Sequence, residues 1–215
     1  YSSTYYYSIG AADGELDYYF IYGDTIADVI KSYTAITGRC PLPQLWTLGY
    51  HQSRWGYSSQ QEVFELAENF INNDLPCDVI HMDIDYMDNY KVFTVDKNKF
   101  PDLSGLSNTL QNKGIRLVTI IDPGTKVEKG YHMYDEGVRN HYFAQTPEGD
   151  IYENVVWPGD SVFPDYTSST VRNWWGSQTK FLVDQGISGI WNDMNEPASF
   201  RGPLPEDVVF PGDDR

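Results

Sequence analysis

The chain has 215 residues, 40% of them hydrophobic and 21% charged, the balance of a globular protein with a core and not of a disordered or fibrous one. Fifteen Lys and Arg stand against 31 Asp and Glu, a formal charge of −16, and a surface of that sign repels phosphate backbones, so no nucleic-acid partner is expected. No apolar run approaches the roughly 18 residues of a membrane span and no basic, apolar leader opens the chain, so a soluble protein is expected, without a membrane partner.

In chain order, Tyr5 to Tyr7 with Ile9, then Leu16, Tyr18, Phe20 and Tyr22 in alternation, read as two strands around a turn at Asp13-Gly14. Thr25 to Thr37 carries Ile26, Val29, Ile30 and Tyr33 at helical spacing with Gly38 after it, a short helix with a Gly stop. The segment Cys40-Pro-Leu-Pro-Gln44 marks a boundary, giving domains over 1–39 and 40–215. A strand is expected from Leu45 to Tyr50.

A unit then repeats three times: a helix, a Gly or Pro break, and a short apolar strand ending in an acidic residue. In the first copy Ser59 and Glu62 form a capping box, Val63, Ala67, Phe70 and Ile71 make the stripe, and Leu75-Pro76 precedes the strand Val79 to Asp83. In the second, a helix from Ser104 to Asn112 stops at Gly114 and Leu117 to Asp122 follows. In the third, Val171, Trp174, Phe181 and Leu182 stripe a helix ending near Gly186, and Gly189 to Asp193 follows. Apolar strands alternating with helices call for a parallel sheet covered by helices. The turn after the first strand, His51-Gln-Ser-Arg-Trp-Gly-Tyr57, has a single Gly where a nucleotide-binding sheet usually has several. The α/β class is therefore read as a (β/α)8 TIM barrel, of which four strands are about half.

In a barrel, strand ends at the carboxyl face build the functional site, which sends Asp83, Asp122 and Asp193 toward one pocket. The competing reading of any one of them is a cap on the following turn. No spacing of His, Cys or Asp suggests a metal, and no cofactor is expected. Asp83-Ile-Asp85 also fits the Asp-x-Asp of a metal-dependent glycosyltransferase, whereas a Ser-His-Asp hydrolase lacks its Gly-x-Ser-x-Gly elbow. Glycoside cleavage uses converging carboxylates most naturally, one attacking or stabilising the oxocarbenium-like centre while another protonates the leaving oxygen. Aromatics at 15%, including 17 Tyr and 6 Trp, suit sugar stacking and core filling equally. Cys40 and Cys77 read as buried free thiols, which with the absence of an Asn-x-Ser/Thr acceptor points to a cytoplasmic location.

The stretch Gly189-Ile-Trp-Asn-Asp-Met-Asn-Glu-Pro197 closely resembles the nucleophile signature of glycoside hydrolase family 31, the family of the α-glucosidases. Further landmarks agree in order: Leu45-Trp-Thr-Leu-Gly-Tyr-His-Gln-Ser-Arg-Trp-Gly-Tyr57, Met82-Asp-Ile-Asp-Tyr-Met87, Ile121-Asp-Pro123, Trp157-Pro-Gly159 and Phe163-Pro-Asp165. The resemblance covers essentially the whole chain, with the opening hairpin matching the last strands of the family's N-terminal β-sandwich. It implies a retaining α-glucosidase with Asp193 as nucleophile and Glu196 as a supporting hydrogen-bond partner. It further implies that Asp83 binds sugar hydroxyls, that Ile84, Ile120, Trp157, Trp191 and Met194 line the cleavage subsite, and that Trp55 stands near the entrance. Core packing is the alternative for Ile84, Ile120, Trp157, Trp191 and Met194, and Asp85 and Asp165 are expected to be structural.

The implied partners are an α-glucoside or a malto- or isomalto-oligosaccharide and the remainder of the same polypeptide. The family's acid/base Asp lies beyond residue 215, so the chain alone is expected to be inactive and, with unpaired strand edges, to fold poorly. Transglucosylases, α-xylosidases and α-glucan lyases share the barrel, and a non-catalytic sugar-binding protein is the alternative outside catalysis.

Overall fold

The computed structural model describes residues 5–10 and 14–212. The chain divides into two compact units, 1–43 and 44–215.

In the first unit the expected helix is α1 (Ile26–Thr37). The Thr25 hydroxyl accepts from the Asp28 amide, and the Asp28 carboxylate accepts from the Thr25 amide in return. Two otherwise orphaned donors are thereby satisfied. Gly38 ends the helix at φ +92°, a conformation that costs Gly little and an L side chain much. The turn of the expected hairpin falls on residues 11–13, outside those described. Its described flanks, 5–10 and 14–22, show one bridge position, at Tyr7, and otherwise no regular strand.

The second unit opens differently from expectation. Leu45–Leu48 is a 3-10 turn and not a strand. The Gln44 carbonyl accepts from both the amide and the hydroxyl of Thr47, at 3.0 and 2.7 Å, so the backbone curls back before it can pair, and Leu45 and Leu48 stay exposed. Pairing starts at β1 (His51–Gln52). Then come α2 (Gln60–Asn72), β2 (Val79–Met82), α3 (Leu103–Asn112) and β3 (Arg116–Ile121). Ser59 caps α2 through the Glu62 amide, but the Glu62 carboxylate accepts from the Ser58 amide and hydroxyl, at 2.7 and 2.8 Å, in place of the Ser59 amide. Val63 and Ala67 are the buried part of the α2 stripe, and Ile71 is exposed.

Between β3 and the next long helix lies an insertion that periodicity did not reveal: β4 (Thr125–Lys126), α4 (His132–Asn140), β5 (Glu153–Val156) and β6 (Gly159–Val162). Its strands form an antiparallel sheet of order β4-β6-β5. The third repeat is two helices, α5 (Ser169–Gln178) and α6 (Lys180–Val183), before β7 (Gly189–Asn192). Val171, Trp174 and Leu182 are buried as the stripe requires, while Phe181 faces out. Cys40 is exposed and Cys77 half-buried, which corrects the expectation of two buried thiols; both are free.

The main sheet is parallel with order β1-β2-β3-β7. Its helix-facing positions Ile80, Met82, Leu117 and Ile121 share one core with Val63, Ala67, Leu106, Leu110 and Leu182. Above the sheet, Lys91 Nζ lies 2.9 Å from both Asp88 and Glu128, tying the loop after β2 to the loop after β4. The Tyr86 hydroxyl, fully buried, donates to the Ile120 carbonyl at 2.9 Å and fixes the turn after β2 against β3. Leu110→Ala should cost about 2–5 kcal/mol because it empties a fully buried site, while Ile71→Ala should cost under about 1 kcal/mol. Urea midpoints of the two variants check the contrast, and equal losses would contradict this placement of the core.

Candidate active site

Residues in register across a parallel pair point to the same face, and side chains alternate along each strand. His81 pairs with Val118, Val118 with Gly189, and Ile120 with Trp191. His81, Val118, Gly189 and Trp191 line one hollow with Trp46 and His51, so theirs is the concave face of the sheet. The same alternation puts Ile120 and Asp122 on that face of β3, Asp83 on it just past β2, and Asp193 on it just past β7. Three carboxylates thus leave three neighbouring strands on one side and at one end.

Each is held by its own backbone surroundings. Asp83 accepts from the Ile84 amide at 2.7 Å and so caps the turn Ile84–Tyr86. The Asp193 amide donates to the Ile121 carbonyl at 3.3 Å, extending the β3–β7 ladder by one rung. Asp122 is 5% exposed, and its Oδ1 meets no hydrogen-bond partner among the described residues. Burial, aided by the charges of Asp193 and Asp83, pushes the Asp122 carboxyl up to about 7. Burial also raises Asp83, with Asp85 and Asp193 adding to it against the Ile84 hydrogen bond. A carboxylate out of water beside like charges binds its proton more tightly.

Beyond the carboxylates stand aromatic rings. Trp157 occupies the tip of the two-residue β5–β6 hairpin, its ring 5.4 Å from that of Trp55 and 4.9 Å from that of Phe200, edge-on to the latter. The Phe200 amide donates to the Val155 carbonyl at 2.9 Å, which fastens the loop after β7 to the insertion. Gly56, at φ +74°, leaves room for the Asp85 carboxylate; a Cβ there would lie 2.1 Å from Asp85 Oδ2.

The other expected residues scatter somewhat. Trp191 lies deeper in the hollow, its ring 6.3 Å from His81. Ile84 and Ile120 are each 2% exposed and belong to the main core. Met194 packs against the small core of Ala144, Tyr152, Val156 and Phe163, at φ +60°, a left-handed conformation that costs an L residue about 1–2 kcal/mol. Such strain directly after a strand-end carboxylate is typical of sites where geometry outranks comfort. Glu196 is exposed on the same loop and lines an open hollow with Asp193 and Met194. Asp85 accepts from the Tyr90 hydroxyl, and Asp165 from the amide and hydroxyl of Thr167.

Comparison with known proteins fits this geometry. Residues 40–213 match the description "Glycosyl hydrolases family 31 TIM-barrel domain". The chain belongs to glycoside hydrolase family 31. It is 52% identical over 202 residues to an alpha-glucosidase 2 of Bacillus thermoamyloliquefaciens, covering 94% of this chain and 26% of that protein. It is 39% identical over 193 residues to the human neutral alpha-glucosidase AB, covering 88% and 20%. A crystal structure of the glucosidase II alpha subunit bound to DNJ superposes with a TM-score of 0.82 at 38% identity, covering 88% of this chain and 21% of that one. A family 31 alpha-glucosidase from Bacteroides thetaiotaomicron gives 0.72 at 39%, covering 85% and 31%. The chain therefore spans about a quarter of the length of such relatives, and its parallel sheet is part of a family 31 barrel.

Phe200 is marked by no periodicity in the sequence, and Asp122, which its strand-end position sends toward the pocket, carries no sequence signal of a role there. Periodicity also misses the insertion that carries Trp157; Pro158-Gly159 between Val155-Val156 and Ser161-Val162 is an available hairpin signal. A further unforeseen feature is the pair His51 and His81, whose Nδ1 and Nε2 stand 3.0 Å apart in the hollow. One ring must donate and the other accept, so both cannot be doubly protonated. Burial, then His51, lowers the His81 value. An unfolded His gains a proton near pH 6.5 that folded His81 resists, so stability is present above about pH 6.5 and drains as pH falls below it. Asp122, with its raised value, contributes in the opposite sense over the same range, so the His81 share is read by difference: His81→Gln should raise the urea midpoint at pH 5.5 relative to pH 7.5 compared with wild type, and an unchanged pH dependence would assign no share to His81.

Proposed function

We propose that this chain carries the nucleophile-bearing part of the barrel of a retaining α-glucosidase that removes terminal α-linked glucose from oligosaccharides through a covalent glycosyl-enzyme. The observation that carries this reading is the alignment of Asp83, Asp122 and Asp193 at the ends of three adjacent parallel strands. Asp193 is the attacking group: it is the most open of the three, and its backbone is fixed by the last rung of the β3–β7 ladder. Its carboxylate would bond to the anomeric carbon as the leaving oxygen takes a proton from a second carboxyl group about 5–5.5 Å away. That acid is not assigned within residues 5–10 and 14–212.

Asp83, held by the Ile84 amide, keeps one oxygen for sugar hydroxyls. Loss of hydrogen bonds that strengthen in the transition state would lower turnover as well as affinity. Trp157 and Phe200, both exposed, would offer apolar faces to a pyranose. Glu196 and Met194 sit on the loop that carries Asp193 and would hold its conformation. The alpha-glucosidase names of the relatives support the substrate class.

In the full polypeptide, a 5-fluoro-α-glucosyl fluoride should label Asp193 in a one-to-one adduct found by peptide mass spectrometry. Asp193→Ala should reduce turnover by on the order of 10⁴-fold or more, as nucleophile removal does elsewhere. Absence of any adduct would favour a non-catalytic sugar-binding protein, an adduct on another residue would refute Asp193 as nucleophile, and loss of activity in chelator would favour a glycosyltransferase. Trp157→Ala should raise KM about three- to tenfold, the worth of one aromatic contact of 0.5–1.5 kcal/mol, with kcat little changed; an unaltered KM would remove Trp157 from the binding site.

A further inference from the structure

We propose that Asp122 is a positioning residue that holds a proton in the resting site and donates it as a hydrogen bond to a neighbouring carboxylate, so that the negative charge of the cluster rests on Asp193. The proposal builds on the assignment of Asp193 as nucleophile and extends it to a residue that acts through it.

Geometry carries the argument. Asp122 follows directly on Ile121, which pairs with Asn192, so Asp122 and Asp193 stand level on adjacent strands whose spacing is about 4.8 Å. Asp122 is the most buried of the three carboxyl groups, at 5% exposure, and its Oδ1 has no hydrogen-bond partner among the described residues. The titratable groups facing it are Asp193 from β7, Asp83 from β2, and the Tyr86 phenol of the turn after β2. A carboxylate so deeply buried, with one oxygen lacking a donor among the described residues, is poorly stabilised in its charged form, and two like charges that close together disfavour joint ionisation. One proton on the least hydrated member relieves both penalties. It also turns an acceptor without a partner into a donor facing an acceptor, as in other sites where a carboxylic acid is kept neutral in order to donate.

The direction with pH follows from the raised value at Asp122, about 7. The proton and its hydrogen bond are present below that pH and are lost as pH rises through it, when a second full charge appears beside Asp193. Asp122→Asn keeps an N–H donor and cannot ionise, so it mimics the protonated form at every pH.

Two measurements on the full polypeptide test this. Infrared difference spectra between pH 6 and pH 8.5 should show a protonated-carboxyl carbonyl band that titrates near pH 7 in the wild type and is missing in Asp122→Asn. Labelling by a 5-fluoro-α-glucosyl fluoride, whose fluoride leaving group needs little acid assistance, should slow in the wild type as pH rises through 7. Asp122→Asn should label about three- to tenfold more slowly than wild type at pH 6, the worth of one altered hydrogen bond, and equally fast at pH 8.5 and pH 6. No titrating band in the wild type would overturn the proposal, as would a loss beyond about a hundredfold in Asp122→Asn at pH 6, which would mean that a charge at 122 is required. An alkaline decline retained by Asp122→Asn would overturn it too. An adduct on a residue other than Asp193 would refute the nucleophile assignment instead, since the infrared band reads the Asp122 proton without reference to it.

Discussion

The site rests on one constraint, the parallel register of β3 with its two neighbours. Because Met82 lies against Thr119 and Ile121 against Asn192, residues of like parity on β2, β3 and β7 fall on the same face, and the residue directly after each strand is an aspartate. A slip of one residue in either pairing would turn a carboxylate into the helix-facing core, where burying a charge is far more costly than leaving it at a strand end. The apolar residues enforce the register from the other side. Ile80, Met82, Leu117 and Ile121 are buried against the helices, so the core that stabilises the sheet also decides where the acids point.

Loops complete what the strands begin. The Tyr86 hydroxyl on the Ile120 carbonyl and the Lys91 contacts with Asp88 and Glu128 hold the segments after β2 and β4 over the carboxyl end of the sheet. The insertion adds the Trp157 ring on a tight hairpin, and the Phe200 backbone binds that hairpin to the loop after β7. The left-handed backbone at Met194 is the local cost of turning the chain sharply after Asp193.

Much of this was legible in the sequence, for physical reasons. Helix ends announce themselves through short-range chemistry, which is why Gly38 after the first helix and Ser59 with Glu62 before the second located two of them. Apolar runs such as Leu117 to Ile121 read as buried strands between helices, and β3 is one, paired on both sides. Short pieces were less legible: Leu45–Leu48 has the composition of a strand, yet local bonds to Gln44 turn it into a 3-10 helix. The insertion strands are two to four residues long, too brief for alternation to register. Phe200 and the His51–His81 pair depend on contacts across 43 and 30 residues respectively, and no local pattern encodes them. The role proposed for Asp122 depends on burial and on a missing partner, both invisible until the strands are paired.

The most direct test of the account is a crystal structure of the full polypeptide trapped with a 5-fluoro-glucosyl group. The account predicts continuous density from the anomeric carbon to Asp193, with Asp83 on the sugar hydroxyls, Asp122 beside the bonded carboxylate and the Trp157 ring at the mouth. A sugar held at the opposite end of the strands, or bonded to a residue off the β2-β3-β7 face, would contradict it.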